Sequence, residues 1–183
     1  MLAKRKIEAY RAAHALSFHC KLALAMMPRK ELHLSLYFED FSAGAEHISR
    51  GRTITESDIM NFAGLSGDYT ELHTNEEYAR EGPFGQRIAH GLLTLAVSSG
   101  LTVRMNLITD TVIAFYGIDK LRFVKPVFIG DTIQVRKTVV DTLAKGGVMG
   151  VVTFETTVLN QRQETVLVYR DKLAIKRRPA QDS

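Results

Sequence analysis

The chain has one cysteine, Cys20, in 183 residues. An internal disulfide is therefore impossible, and no cysteine-based metal cluster can form; a reducing compartment suits such a chain. Internal repeats and low-complexity tracts are absent as well. There is no basic stripe with interleaved aromatics, which leaves nucleic-acid binding without support. The net charge of +4 does not alter this, because it is local: residues 1–35 hold seven Lys/Arg against two acids, and the remainder holds 17 basic against 18 acidic residues. Long unbroken hydrophobic runs are missing too. The apolar stretch at 16–27 is interrupted by His19 and Lys21, unlike the continuous apolar centre of a secretory signal. Its basic, acid-poor surroundings partly fit a transit peptide. A mobile tail, a docked helix, or an upstream start codon with the functional start near Met26 or Met27 are the other readings.

What is present is ordinary for a soluble globular protein: 45% apolar and 24% charged residues. The length suits one domain. The expected division is a basic extension at 1–35, a single domain at 36–177 and a short tail at 178–183. Within the domain, Thr55 followed by Asp58 has the spacing of a capping box, and Ile59, Phe62 and Ala63 follow at helical spacing up to Gly67, a natural helix stop. Residues 68–73 then fall in a loop, and a short helix begins at Thr74. Residues 88–105 form the most apolar helical segment, with apolar residues nearly all round. Such a helix is buried; His90, Ser98, Ser99 and Arg104 interrupt it and it is short for a membrane span. After Thr109 the period changes to two, with strands expected at 111–117, 119–126, 131–141, 148–159 and 165–176. Pro126 should end its strand or lie at an edge. Helices followed by a run of antiparallel strands define an α+β architecture, a long helix wrapped by a curved sheet.

Asp68 and His73, five residues apart, and His90-Gly91, at the start of the apolar helix, carry the chemistry. Asp68 and His73 can serve a loop and a helix cap. Alternatively, they can converge on one water: the imidazole accepts its proton near neutral pH, and the carboxylate orients it or, if burial raises its pKa, returns a proton. Gly91 either permits close packing of the helix or presents an unpaired first-turn N–H to a developing oxyanion. His90 reads as a hydrogen-bonded histidine that shapes the turn.

Several segments, in this order, resemble the MaoC-like dehydratases, best known as (R)-specific enoyl-CoA hydratases: Tyr37-Phe38-Glu39-Asp40; Ser66-Gly67-Asp68-Tyr69 with Leu72-His73-Thr74; Pro83-Phe84-Gly85; Arg87 through Leu93; and Leu121 through Val127 with Gly130-Asp131. The resemblance implies a hotdog fold, with Asp68 and His73 as the catalytic pair and Gly91 as oxyanion donor. Ser99 matches a serine often near the site and serves equally well as a small helix-packing residue; His90 is grouped with the substrate-binding residues. It further implies reversible hydration of trans-2-enoyl thioesters, on CoA or acyl-carrier protein, to (R)-3-hydroxyacyl thioesters in the cytoplasm. No cofactor, metal, nucleic acid or membrane is involved, and a homodimer or higher homo-oligomer is expected. One departure is plain: where the family usually reads Asp-x-Asn-Pro-x-His, this chain has Thr70-Glu71 in place of Asn-Pro. Two other functions remain on the same fold. A hotdog thioesterase usually carries a carboxylate on the central helix, and residues 88–105 contain none. A non-catalytic acyl-thioester-binding subunit would keep the pair without turnover.

Overall fold

A computed structural model describes residues 35–179. The chain divides into two units, Met1–His33 and Leu34–Ser183. The readings of the basic extension, apart from Ser35, and of the last four residues fall outside the described residues.

The domain opens with a turn of 3-10 helix, Phe38–Asp40, followed by two very short strands, β1 (Glu46–Ile48) and β2 (Arg52–Thr53). Helix α1 spans Glu56–Ser66. Its capping box is formed as expected: Thr55 Oγ1 accepts from the Asp58 N–H, and the Asp58 carboxylate accepts from the Thr55 N–H at 2.8 Å. Gly67 ends the helix in the left-handed conformation at φ 78°. Two short helices follow, α2 (Glu71–Thr74) and α3 (Glu76–Glu81). The expected start at Thr74 is thus corrected. Thr74 closes α2, where its hydroxyl bonds back to the Tyr69 carbonyl, and Asn75 caps α3 by accepting from the Tyr78 N–H.

Helix α4 spans Gly91–Val103, shorter than the apolar run at 88–105. Residues 88–90 are held extended: Ala89 N–H donates to the Val127 carbonyl, and Ile88 bridges to Phe128. Four long strands complete the fold: β3 (Val112–Phe123), β4 (Thr132–Lys145), β5 (Met149–Leu159) and β6 (Thr165–Lys176). They form an antiparallel sheet in the order β1-β4-β5-β6-β3, with β2 also paired to β4. The two strands expected at 111–117 and 119–126 are one. Register shifts between Phe115 and Gly117 and between Asp119 and Arg122 absorb the irregularity as bulges. Pro126 lies beyond the end of β3, an edge strand.

The core lies between α4 and the concave face of the sheet. Leu93, Val97 and Leu101, at helical spacing, pack with Ile133, Val135, Val158 and Leu167 at strand spacing. The sheet covers only one face of the helix. Leu92 and Val103, on the other side, are 60% and 59% exposed, so the apolar character all round α4 does not translate into burial all round within one chain. Among the described residues, no helix is long and apolar enough to cross a membrane.

Candidate active site

Three segments meet at the N-terminus of α4. The first is the loop after α1. Asp68 is exposed there, and its Oδ1 accepts from the Thr70 hydroxyl at 2.6 Å and the Thr70 N–H at 3.2 Å. The second is α2, which carries His73 half-buried. The third is the extended stretch through Ile88 to His90. It is anchored by Arg87, whose guanidinium reaches Glu56 on α1 at 2.9 Å and Glu76 on α3 at 2.8 Å.

Hydrogen bonds fix both imidazoles. His73 Nδ1 lies 2.8 Å from the Ile88 carbonyl oxygen. A carbonyl can only accept, so Nδ1 carries the proton and Nε2 keeps its lone pair. His90 Nε2 lies 2.9 Å from the Asp68 carbonyl oxygen and therefore donates to it. His90 is buried, and its Nδ1 has no hydrogen-bond partner among the described residues. It ties the start of α4 to the Asp68 loop, the turn-shaping position read from the sequence. The two rings stack with centroids 3.9 Å apart at 32°.

Burial pushes the His73 pKa below its ordinary value of 6.5, and the neighbouring His90 acts in the same direction; the Ile88 carbonyl and the Asp68 charge oppose them. The imidazole is thereby neutral and basic at pH 7. The Asp68 carboxyl is held below 3.8 chiefly by the Thr70 hydroxyl, then by the Thr70 N–H, with smaller help from the two histidines. A carboxyl raised by burial, one of the two states considered from the sequence, is not what the fold produces here. Asp68 is an ionised, exposed acceptor suited to orienting a water.

Asp68, His73 and His90 offer ligand-type atoms within 4.8 Å of one another.

His73 and Gly91 line a cavity of about 400 Å³ together with Ile88, Leu92, Phe123 and Pro126. Gly91 is the first residue of α4, where backbone N–H groups lack intrahelical partners. The Phe123 ring packs directly against it: a Cβ at residue 91 would sit 2.9 Å from Cε1 and Cζ of that ring. The absence of a side chain is what lets the wall close here. Ser99, two turns along α4, lines a different cavity of about 470 Å³, and Leu92 borders both. Thus Asp68, His73, His90 and Gly91 are brought together and Ser99 is set apart.

The sequence reading passed over a buried polar group in the wall of the larger cavity. Lys137 on β4 pairs with Asp171 on β6, which also accepts from Thr156 on β5 at 2.6 Å. Tyr169 hydrogen-bonds Ser98 at 3.0 Å beside them. A signal was available: on β4, Lys137 shares the inward alternation of Ile133, Val135 and Val139.

A long helix laid across a curved antiparallel sheet, with an Asp–His pair at the helix N-terminus, defines a hotdog-fold protein with a candidate acid–base site. Its fold is shared by a Mycobacterium tuberculosis protein described as a double hotdog, at a TM-score of 0.70 and 21% identity over 82% of this chain and 47% of that one. Residues 42–162 match the family described as "MaoC like domain", and the chain belongs to that family. It is 41% identical over 122 residues to an (R)-specific enoyl-CoA hydratase of Rhodospirillum rubrum, covering 66% of this chain and 79% of that protein. It is 45% identical over 102 residues to Protein MaoC of Klebsiella aerogenes, covering 56% of this chain but only 30% of that longer protein. A solved Archaeoglobus structure described as a monoamine oxidase regulatory protein superposes with a TM-score of 0.74 at 40% identity, covering 79% of this chain and 97% of that one.

Proposed function

We propose that this protein catalyses reversible hydration of trans-2-enoyl thioesters to (R)-3-hydroxyacyl thioesters. The observation that carries the reading is the state of His73: its Nδ1–H is tethered to Ile88, and its pKa is depressed, which leaves Nε2 as a base beside an ionised carboxylate. The name of the Rhodospirillum rubrum relative supports the substrate class and the stereochemistry.

In hydration, the water oxygen bonds to Cβ while His73 Nε2 removes one of its protons. The π electrons move through Cα onto the thioester oxygen, where the Gly91 N–H and the helix dipole stabilise the negative charge. When the enolate collapses, Cα takes a proton. Asp68 orients the water until it adds to Cβ, and His73 Nε2 then delivers to Cα the proton it took from that water. The sum is one water added across one double bond, with the side chains unchanged. The thioester handle is CoA or an acyl-carrier protein.

A carboxylate on the central helix, as a hotdog thioesterase usually carries, is missing from α4. We infer a homodimer or higher homo-oligomer: edge strand β3 exposes Ile113, Phe115 and Tyr116 at 46–56%, a patch suited to a second copy of the chain. The test is loss of enoyl-CoA absorbance with crotonyl-CoA and longer enoyl-CoAs, with product chirality determined. Folded His73→Gln protein should lose about a hundred- to ten-thousandfold in rate, and Asp68→Asn should also lose most of its activity. Unchanged turnover in either would overturn the assigned roles, and ligand binding without turnover in the wild type would favour a non-catalytic subunit.

A further inference from the structure

The second cavity is the larger of the two and has an unusual wall. Its lining is mostly apolar, with Leu95, Val103, Ile108, Phe115 and Leu173 among its residues, yet Lys137 and Asp171 also belong to it. Their side chains are 3% and 2% exposed. Placing an ion pair in such surroundings costs more than a well-packed hydrophobic pair of similar volume would, so packing alone does not account for it. At about 470 Å³ the cavity falls in the size range of small-molecule sites. It shares Leu92 with the cavity holding His73 and Gly91 and runs along α4 as far as Val103, about 16 Å at about 1.5 Å per residue.

The polar wall is built by three adjacent strands. Lys137 and Thr156 are register partners across β4 and β5, and Asp171 stands opposite Phe154 across β5 and β6. Both Asp171 oxygens are engaged, one by Lys137 and one by Thr156. The Lys137 ammonium carries three donors. Among the described residues its hydrogen-bond partner is Asp171, and it stands 4.5 Å from the centre of the Phe154 ring. An ammonium in this position has donor capacity left for a ligand in the cavity.

We propose that this cavity receives the acyl chain of a thioester that carries a neutral oxygen, a hydroxyl or keto group, remote from the reacting double bond, and that Lys137 donates a hydrogen bond to that oxygen. This rests on the hydratase reading of the neighbouring site. The charge balance selects the ligand. The Lys137–Asp171 pair is neutral in sum, so a carboxylate would leave a net buried negative charge, whereas a purely alkyl chain would leave the ammonium donors facing hydrocarbon. A keto oxygen accepts from Lys137, and a hydroxyl can do so and also donate to Asp171.

The experiment compares kcat/KM for enoyl-CoAs matched in chain length, one purely alkyl and the others carrying a keto, hydroxyl or carboxylate group at successive deep positions. Crotonyl-CoA, too short to reach Lys137, is run alongside. The expected result is a preference of at least about tenfold for a keto or hydroxyl chain at one position. That preference should collapse in the Lys137→Met/Asp171→Leu double variant, an apolar replacement of the whole pair, with its fold checked by circular dichroism. Equal turnover of matched chains, preference for the alkyl or carboxylate chain, or a preference that survives in the double variant would overturn the proposal. Should the double variant not fold, the wild-type preference decides by itself. Turnover of crotonyl-CoA without chain discrimination sinks this proposal alone; no turnover of any enoyl-CoA sinks the hydratase reading with it.

Discussion

Substituting Gly91 by alanine separates the two roles of that glycine. The backbone N–H survives in alanine, so the donor is not removed; only its surroundings change. A methyl at residue 91 would meet Cε1 and Cζ of Phe123 at 2.9 Å and Cδ1 at 3.0 Å, so the ring must move. Phe123 is 50% exposed and can swing outward. Overpacking of this kind costs about 1–3 kcal/mol, and replacing glycine within a helix returns up to about 1 kcal/mol. The net loss is about 0–3 kcal/mol, a Tm decrease of no more than about 12 °C for a chain of this size. Activity should suffer far more. Displacing the ring and adding a methyl disturbs the position of the thioester oxygen, and a misplacement of about 1 Å costs about a hundredfold. The assay is kcat/KM for crotonyl-CoA together with thermal unfolding. The double variant Gly91→Ala/Phe123→Ala gives the methyl room and should regain part of the lost rate. A Gly91→Ala protein within threefold of wild type, or a double variant no better than the single one, would refute the placement of Gly91 against the reacting oxygen.

Because the His73 pKa is lowered, its basic form persists to lower pH. kcat/KM should be flat through pH 7 and fall only below 6.5, the ordinary histidine value, and an activity that still rises above pH 7 would contradict this. Asp171→Ala leaves Lys137 buried without its counter-charge and should lose about 3–5 kcal/mol in urea unfolding. The loss should grow as pH falls, because the unfolded state then binds the lysine proton more readily than the native state. Gly67→Ala forces a side chain into a left-handed cap at φ 78° with nothing within 4 Å to clash, so the cost is backbone strain alone, about 1–2 kcal/mol, with activity kept in whatever fraction remains folded.

Much of this was legible because it is local. Thr55, Asp58 and Gly67 declare a helix in eleven consecutive residues, and the alternation of β4 to β6 declares strands buried on one face. The sequence failed where tertiary contacts overrode local signals. The expected strands at 111–117 and 119–126 left a break at residue 118, but pairing with β6 carries β3 through it, with bulges between Phe115 and Gly117 and between Asp119 and Arg122. Strands β1 and β2, three and two residues long, are too short to show a period, and pairing with β4 defines them. At the site, Asp68 and His73 were visible as a spacing. The orientation of His73 depends on a carbonyl fifteen residues away, which no spacing reports. Lys137 and Asp171 went unnoticed because each looks like an ordinary surface charge until strand alternation turns both inward.

The dipeptide Thr70-Glu71 decides how the carboxylate is held. Glu71 opens α2, is exposed, and its Oε1 accepts from the Asn75 side chain at 3.1 Å. Thr70 does the work at Asp68, supplying both a hydroxyl and an N–H to the same carboxylate oxygen. Thr70→Val keeps the volume and the N–H and removes the largest of the influences that depress the Asp68 pKa. The carboxyl should then titrate closer to 3.8, followed by NMR of its carboxyl carbon. The side chain, freed of its 2.6 Å restraint, should hold the water less well, lowering kcat with little change in KM. Thr70→Ser keeps the hydroxyl and should behave as wild type. An unshifted Asp68 titration in Thr70→Val, or equal losses in the serine and valine variants, would show that the loop backbone and not the hydroxyl sets the carboxylate.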